Sequence, residues 1–255
     1  MTAMDLLAYE APPSLLAGRV ILVTGASKGL GHSAALTLAK HGATVILHGR
    51  DLTALEQVYD EIESAGGAKP TLLPLDLATA TTRDYEVLAR ATEVQLGRLD
   101  GILHNASHLV ALTALENQSQ EDWLLQLRVN LAAPAAITRA CAHLLHAAPD
   151  ASVVYTGETH GLRPSAYWGA FAVAKAGLLA LLRIQSQEWE SAANLRVNLL
   201  VPGPVDSPLR RQTHPGESRV ARTPADSLMP AYLYLLGPDS RGLSGQVFDL
   251  TPAGS

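Results

Sequence analysis

The fold is decided by residues 24–31, which read Thr24-Gly25-Ala26-Ser27-Lys28-Gly29-Leu30-Gly31. They follow an apolar segment, 19–24, that predicts a buried β-strand, and they lead into a helical segment. Glycine at three positions lets the backbone turn tightly and approach a phosphate without a clash from a Cβ atom. The helix start adds unpaired N–H groups and the positive end of the helix dipole. This stretch therefore predicts a loop that binds the pyrophosphate of a dinucleotide.

Outward from this loop, short β-branched runs alternate with longer helical segments along the chain. Strands are predicted at 19–24, 44–47, 71–75, 101–104, 152–156, 195–200 and 246–249, and helices at 30–41, 51–65, 79–96, 119–147, 167–192 and 224–236. The alternation indicates parallel strands joined by crossover helices. We predict one α/β domain over residues 1–255, a Rossmann fold whose seven-stranded, mostly parallel, doubly wound sheet carries helices on both faces.

Two segments depart from this alternation. Residues 1–17 are expected to form an N-terminal extension whose leucine pairs pack on the domain. Residues 201–223 are rich in proline and follow the sixth strand at its carboxyl end, where an open α/β sheet forms its ligand crevice. We expect this segment to be a substrate loop or lid. The sequence leaves open whether its arginines contact a phosphate, the substrate or water; they are Arg210, Arg211, Arg219 and Arg222.

Composition excludes several classes of function. The chain of 255 residues has a formal net charge of −5 and no basic block, so nucleic acid is not an expected partner. Cys141 is the single cysteine, which excludes an internal disulfide, and we expect it to be inert packing. The histidines show no metal-ligand spacing, so no metal is predicted. We recognise neither a membrane span nor a secretory signal, and this favours the cytoplasm without membrane association.

The end of the second predicted strand selects the cofactor. An enzyme specific for NAD usually has an acidic residue here, which binds the hydroxyls of the adenosine ribose. This chain has Gly49, followed by Arg50, and Lys28 lies inside the glycine loop. Two cations without a carboxylate suit a 2′-phosphate, because a guanidinium binds phosphate through paired hydrogen bonds. Asp51 is interpreted as the N-cap of the next helix. The predicted cofactor is therefore NADP(H).

From about Arg19 to Thr251 the sequence resembles the short-chain dehydrogenase/reductase (SDR) family, and within it the bacterial YciK-like oxidoreductases. Residues 24–31 match the family motif TGxxxGxG. The similarity to the YciK-like group lies in 98–105, 167–170, 223–226 and 238–241. The resemblance implies cofactor contacts from Gly25, Ser27, Lys28, Gly29, Leu30, Gly31, Arg50, Asp76, Leu77, Asn105, Ala106, Lys175, Pro202, Gly203 and Val205.

The chemistry of this family uses a Ser-Tyr-Lys-Asn set, and two of the four positions differ here. Lys175 matches the lysine that binds the nicotinamide ribose, and Asn130 matches the asparagine that orders a proton-relay water. The tyrosine position, four residues before the lysine, is Phe171, which has no hydroxyl and cannot transfer a proton. The serine position is Glu158. The resemblance therefore implies a cofactor site whose usual acid/base is missing.

Other side chains are alternatives to the missing tyrosine. Glu158 is a possible acid/base, because an apolar cleft raises the pKa of a carboxyl group. The alternative, which we favour, is a salt bridge from Glu158 to Lys175 that would lock an inactive site. Tyr167 is a less favoured substitute for the tyrosine. His108 and His160 lie on predicted active-site loops, although a structural or solvent-facing role is favoured for both. Tyr155, Thr156 and Thr159 are expected to be structural.

Two functions remain open at this point. The first is an NADP(H)-binding SDR oxidoreductase that moves a hydride between the nicotinamide and a carbonyl or alcohol of an unidentified small molecule. The second is a catalytically impaired protein that senses NADP(H) or acts as a scaffold, so the sequence does not decide whether the chain is an enzyme. The apolar helical segments 119–147 and 167–192 predict a two-fold homodimer or homotetramer.

Overall fold

The central feature is a seven-stranded sheet in the order β3-β2-β1-β4-β5-β6-β7, with every neighbouring pair parallel. The computed structural model describes residues 3–218, 220 and 222–252, so Arg219 lies outside the described residues. The strands are β1 Val20–Thr24, β2 Thr44–Gly49, β3 Thr71–Pro74, β4 Gly101–His104, β5 Ala151–Thr156, β6 Leu195–Val201 and β7 Val247–Asp249. The predicted doubly wound sheet is confirmed, and it is parallel throughout the described strands.

The helices lie between these strands. They are α1 Ala3–Leu7, α2 Gly29–Lys40, α3 Leu52–Ser64, α4 Thr82–Leu96, α5 Gln120–Leu127, α6 Ala133–Ala140, α7 Ala142–Ala147, α8 Thr159–Leu162, α9 Gly169–Glu188, α10 Pro208–Thr213 and α11 Met229–Leu236. The segment 119–147, predicted as one helix, is divided by a π-helical turn at Arg128–Ala132 and by a break at Cys141. Cys141 is buried, and burial raises the pKa of its thiol to about 12, in keeping with an inert role.

Two apolar layers cover the two faces of the sheet. Ile21 and Val23 of β1 pack in the layer that contains α2, α3 and α11. Val20 and Leu22, which alternate with them, pack in the opposite layer with α4, α6 and α9. Because successive side chains of a strand point to opposite faces, a strand covered on both sides must be apolar at every position. This explains the continuous apolar runs in the sequence.

The order of the strands places the site. The chain moves outward from β1 to β2 and β3, and it then returns to the other side of β1 to form β4. The loops that leave the carboxyl ends of β1 and β4 therefore run in opposite directions and open a crevice between them. The glycine-rich loop 24–31 and the turn that begins at His104 lie at this crevice.

The N-terminal extension packs on the domain as expected. Leu6 and Leu16 are fully buried in the layer of α2, α3 and α11, and Leu15 is partly buried there. The Tyr9 hydroxyl donates a hydrogen bond to Asp239 at 2.7 Å, which ties the extension to the C-terminal part of the chain.

Helix α9 corrects one expectation. By length and composition alone, this helix of 20 residues could cross a membrane, whereas no membrane span was expected from the sequence. In the fold, its buried face includes Phe171, Lys175 and Leu178. A central helix of a folded domain satisfies the same criteria of length and hydropathy.

Candidate cofactor and substrate site

The carboxyl ends of the strands open into a cleft of about 560 Å³. Most of the residues that the sequence predicted for the site line this cleft. These are Gly25, Ser27, Lys28, Gly29, Leu30, Arg50, Asp76, Leu77, Asn105, Ala106, Glu158, Phe171, Lys175, Pro202, Gly203 and Val205. Gly31 and Asn130 do not belong to the lining. The fold thus brings residues from the loops after β1 to β6 and from helix α9 to one cleft.

The glycine loop forms a cradle that side chains would fill. Gly25 and Gly29 adopt positive φ values of 69° and 57°, which favour glycine. A Cβ atom on Gly25 would lie 2.9 Å from the Cα atom of Ala106. Gly31 acts behind the cradle, because a Cβ atom there would lie 2.1 Å from the carbonyl oxygen of Gly25. The loop therefore lets a phosphate group of a ligand approach the protein backbone closely, and in this respect it fits a dinucleotide.

Thr24 and Asn105 join the two loops that border the crevice. The Thr24 hydroxyl accepts hydrogen bonds from the backbone N–H groups of Asn105 and Ala106, both at 3.0 Å. The Asn105 amide nitrogen donates to the Thr24 carbonyl oxygen at 3.2 Å. These bonds hold the cleft wall in place before any ligand binds, which limits the entropy lost on binding.

The adenosine end of the cleft is positively charged. Lys28 and Arg50 are solvent-exposed and line the cleft, and neither side chain forms an ion pair with another residue of the described chain. Asp51 is the N-cap of α3, as predicted, and its carboxylate accepts a hydrogen bond from the Ala54 N–H at 3.1 Å. That carboxylate is therefore engaged with the helix. Two unpaired cations fit a phosphate group at this position.

The side chain of Asn130 holds a loop at the edge of the cleft. It is buried in the π-helical turn, and its amide nitrogen donates to the carbonyl oxygens of His108 and Gln126 at 2.7 and 2.8 Å. Its amide oxygen accepts from the His108 N–H and the Ser107 hydroxyl, both at 3.0 Å. All the hydrogen-bonding capacity of the amide is used by these contacts. Asn130 therefore fixes residues 107–108 against the cleft.

Lys175 is buried at the centre of the cleft wall. Its Nζ donates to the Thr156 carbonyl oxygen at 3.0 Å and lies 5.8 Å from the centre of the Phe171 ring. Burial lowers the pKa of Lys175 to about 8, and the negative charge of Glu158 opposes that shift. Phe171 is fully buried and supplies an apolar surface where the family has a hydroxyl. Lys175 and Phe171 both line the cleft, and Phe171 offers no hydroxyl to it.

The expected salt bridge between Glu158 and Lys175 is wrong. The Glu158 carboxylate accepts a hydrogen bond from the backbone N–H of His160 at 2.5 Å, and it contacts the His160 ring nitrogen Nδ1 at 3.0 Å. The reason is local: Glu158 is the N-cap of α8, so the N–H groups of that helix are its nearest donors. Lys175 is instead satisfied by a backbone carbonyl. Glu158 still lines the cleft, with a fifth of its side chain exposed.

The two tyrosines considered as substitutes lie elsewhere. Tyr167 is 60% exposed and does not line the cleft. Tyr155 is fully buried, and its hydroxyl donates to the Gln185 side chain at 2.7 Å. Neither phenol is available to a substrate in the cleft. Trp168, next to Tyr167, does line the cleft and stacks on the His160 ring with centroids 3.7 Å apart.

The segment 201–223 covers one side of the cleft and is held by its own ion pairs. Arg210 binds Glu217 through two nitrogens at 2.7 and 2.8 Å, and Arg222 also contacts Glu217. The hydrogen bonds from Arg210 lower the pKa of Glu217 to about 2. Arg211 contacts Asp206 at 3.3 Å. The described arginines of this segment therefore bind carboxylates of the same segment, an outcome that the sequence had left open.

Several residues of the cleft were not predicted from the sequence. They include Ser107, His108, Leu109, Leu209, Gln212 and Thr213. His108 had been considered only as a possible acid/base, although it directly follows the turn 104–107. Burial and the neighbouring Arg50 charge lower the pKa of His108. Leu209 and Gln212 lie on α10, which no periodic pattern in this short, proline-rich segment indicated.

Comparisons with known proteins agree with this geometry. The profile of the short chain dehydrogenase family matches residues 19–218. The uncharacterized oxidoreductase YciK of Escherichia coli is 38% identical over 245 residues, which cover 96% of each chain. A short chain dehydrogenase structure from Pseudomonas syringae is 41% identical, with a TM-score of 0.93, over 95% of this chain and 98% of that one.

Two further structural relatives bear on the cofactor. A Shigella flexneri short chain dehydrogenase complexed with NADP is 36% identical, with a TM-score of 0.91, and it covers 94% of this chain and 100% of its own. An Escherichia coli relative complexed with NADPH is 37% identical over the same shares, with the same TM-score. NADP(H), the cofactor predicted from the sequence, is thus the one with which both relatives were crystallised. The chain belongs to the short-chain dehydrogenase family.

Proposed function

We propose that this chain is an NADP(H)-dependent oxidoreductase that acts on a carbonyl or alcohol group of a small molecule. The observation that carries the proposal is the composition of one continuous cleft. It contains the glycine cradle, the unpaired cations Lys28 and Arg50, and, without an ion pair between them, Lys175 and Glu158. The two relatives crystallised with NADP and NADPH support the choice of cofactor.

Different residues of the cleft would bind different parts of the cofactor. The backbone of the cradle at 25–30 would hold the pyrophosphate, and Lys28 and Arg50 would bind the 2′-phosphate. Lys175, at the opposite end, would bind the nicotinamide ribose. When bound, NADP(H) supplies or accepts the hydride.

Glu158 is the group we assign to proton transfer. In reduction its protonated carboxyl would donate a proton to the substrate oxygen, while the carbonyl carbon receives the hydride, and the product is an alcohol. In oxidation the carboxylate would accept the hydroxyl proton. Glu158 lines the cleft at the position that matches the family's serine, and His160 contacts its carboxylate. Phe171 cannot perform this step because it has no ionisable hydrogen.

The test is the substitution Glu158→Gln, with Glu116→Gln as the matched control. Glu116 is exposed and does not line the cleft. The oxidation of NADPH would be followed with a panel of aldehydes and ketones, and NADPH binding would be measured separately by fluorescence. We expect Glu158→Gln to lower turnover by about 10²–10⁴-fold with binding retained. Unchanged turnover would sink the assignment of Glu158.

A second candidate function is NADP(H) binding without turnover, as a sensor or scaffold. The observation that favours it is the fully buried Phe171 beside Lys175, at the position of the family's acid/base. Tight NADPH binding without reduction of any carbonyl in the panel would support it. The double substitution Phe171→Tyr and Glu158→Ser restores the family's set, so activity in that variant alone would show that the rest of the site is intact.

We further propose a cytoplasmic homo-oligomer with two-fold symmetry. Val173 and Ile184 on α9 are 50% and 54% exposed, and Leu124 on α5 is 51% exposed. Apolar side chains on these two helices would be covered by a second copy of the chain. Sedimentation at micromolar concentration should show a dimer or tetramer that Ile184→Glu weakens. A monomer in the unmodified protein would contradict the proposal.

A further inference from the structure

A second, smaller cavity adjoins the substrate end of the cleft. Its volume is about 140 Å³, and it is lined by Thr159, His160, Pro204, Arg210, His214 and Thr251. Arg210 lines both the cavity and the main cleft. His160 contacts Glu158, which lines the cleft. A molecule that reaches Glu158 from the cleft would therefore have this cavity within reach.

The polar side chains of this cavity are donors of hydrogen bonds. They are two hydroxyls, two imidazoles and one guanidinium, and no carboxylate is among the described residues that line it. The hydroxyls of Thr159 and Thr251 form a hydrogen bond with each other at 3.2 Å, which leaves one O–H group of the pair to donate to a ligand. A lining of this kind is complementary to an anion with several oxygen atoms.

Three of these side chains have a nitrogen atom without a partner among the described residues, and the two imidazoles would donate through it to an anion in their protonated form. Glu158 occupies Nδ1 of His160, and the Thr213 hydroxyl occupies Nδ1 of His214 at 2.8 Å. The Nε2 atom of each ring has no hydrogen-bond partner in the described part of the chain. Arg210 uses Nε and Nη2 to bind Glu217, and its Nη1 likewise has no partner among the described residues.

Arg210 is the charged side chain of this cavity, and aromatic contacts hold the imidazoles beside it. Burial, followed by the Arg210 charge, lowers the pKa of His214, as expected where a further positive charge is unwelcome. Trp168 stacks on His160 and lies 6.2 Å from the His214 ring. The stacked indole restricts the His160 ring, so its unpartnered nitrogen keeps its direction without a ligand.

We propose that this cavity binds a carboxylate group of the substrate. The substrate would then be a carbonyl or alcohol compound that carries a carboxylate, oriented with its reacting oxygen toward Glu158. The inference rests on the proposed function and narrows its substrate class. It also gives Arg210 a role in specificity in addition to its ion pair with Glu217.

Binding can be measured apart from turnover. The protein, saturated with NADP⁺ so that the cofactor phosphate sites are filled, would be titrated with benzoate and with neutral benzamide by calorimetry. We expect benzoate to bind at least about tenfold more tightly, because charge-assisted hydrogen bonds are the stronger ones. Equal affinities, or binding of inorganic phosphate without binding of benzoate, would overturn the assignment to a carboxylate.

Variants locate the binding to this cavity. Arg210→Gln and His214→Gln should each weaken benzoate binding by about 10-fold or more. Arg211→Gln is the matched control, since Arg211 lies next in the chain, is exposed and does not line the cavity. His214→Gln leaves the ion pair of Arg210 with Glu217 intact, so its effect does not depend on changes in the lid. Unchanged benzoate affinity in both variants would overturn the inference.

Turnover separates this inference from the proposed function. With NADPH, para-carboxybenzaldehyde should be reduced at least about tenfold more efficiently than its methyl ester, and Arg210→Gln should remove that preference. If benzoate binding depends on Arg210 but no carbonyl compound is reduced, the anion site is supported and the oxidoreductase function is rejected. Equal reduction of acid and ester, with benzoate binding unaffected by Arg210→Gln, would reject the anion site alone.

Discussion

The substitution Gly31→Ala tests whether the glycine cradle is shaped by close backbone contacts. Gly31 does not line the cleft, so a new methyl group would not touch a bound cofactor directly. Its Cβ atom would instead lie 2.1 Å from the Gly25 carbonyl oxygen and 2.5 Å from the Asn105 amide nitrogen. Both atoms belong to the two loops that border the crevice. We therefore expect the variant to lose cofactor affinity through a displaced loop.

The expected size follows from those distances. Because the carbonyl oxygen must move by at least about 1 Å to restore an ordinary contact, the cost is near the upper end of overpacking, about 3 kcal/mol. In a chain of this size that cost lowers Tm by about 6–12 °C. The same movement displaces the N–H groups at the start of α2, and each hydrogen bond lost to a charged phosphate weakens binding by about 10- to 100-fold.

The assay combines thermal unfolding with NADPH titration followed by fluorescence. Gly216→Ala is the matched control, because nothing lies within 4 Å of a Cβ atom at Gly216 and its φ is not positive. That control should retain the Tm and affinity of the unmodified protein. If Gly31→Ala bound NADPH with unchanged affinity, the reasoning from the cradle geometry would be refuted.

Three further predictions concern single side chains. Arg50→Gln should weaken NADP⁺ binding by about 10- to 100-fold and leave NAD⁺ binding unchanged, since only NADP⁺ carries the 2′-phosphate; equal losses in calorimetry would contradict this. Burial lowers the pKa of Lys175 from 10.5 to about 8, so its contribution to the free energy of unfolding should rise by about 3 kcal/mol as pH increases across that interval. Urea titrations of the cofactor-free protein should show this rise, and Lys175→Met should remove it. Asn130→Leu leaves the backbone N–H and C=O of His108 unpaired and should destabilise the fold by about 3 kcal/mol, whereas a change below about 0.5 kcal/mol in urea unfolding would show that the loop is held in another way.

The local parts of the site were open to prediction from the sequence. A glycine cradle, an N-cap such as Asp51 and the apolar strands each depend on residues that are adjacent in the chain. The long segment 119–147 was predicted as continuous because its apolar pattern persists. The π-helical turn within it contains Asn130, whose amide bonds reach residues 107–108, a contact that no local pattern contains.

The partner of Glu158 shows where inference from the sequence fails. Lys175 and the N–H groups of α8 both compete for its carboxylate, and the sequence favoured Lys175 because it is the cation of the family's catalytic set. In the structure the helix cap is formed, and Lys175 is satisfied by the Thr156 carbonyl. The outcome depends on the direction of each side chain, which the packing of α9 against the sheet determines.

The sequence by itself determined the doubly wound fold, the dinucleotide loop and the preference for a phosphorylated cofactor, because the backbone conformation of glycine, strand burial and the charge at a strand end are local properties. Only the tertiary structure decided what surrounds the reacting groups. It placed His160, Arg210 with the nearby His214, and Thr251 around one cavity, although these three parts of the chain are about 40 residues or more apart. Such a cavity arises where the segments that follow β5, β6 and β7 meet at one edge of the sheet, and no spacing along the sequence encodes it.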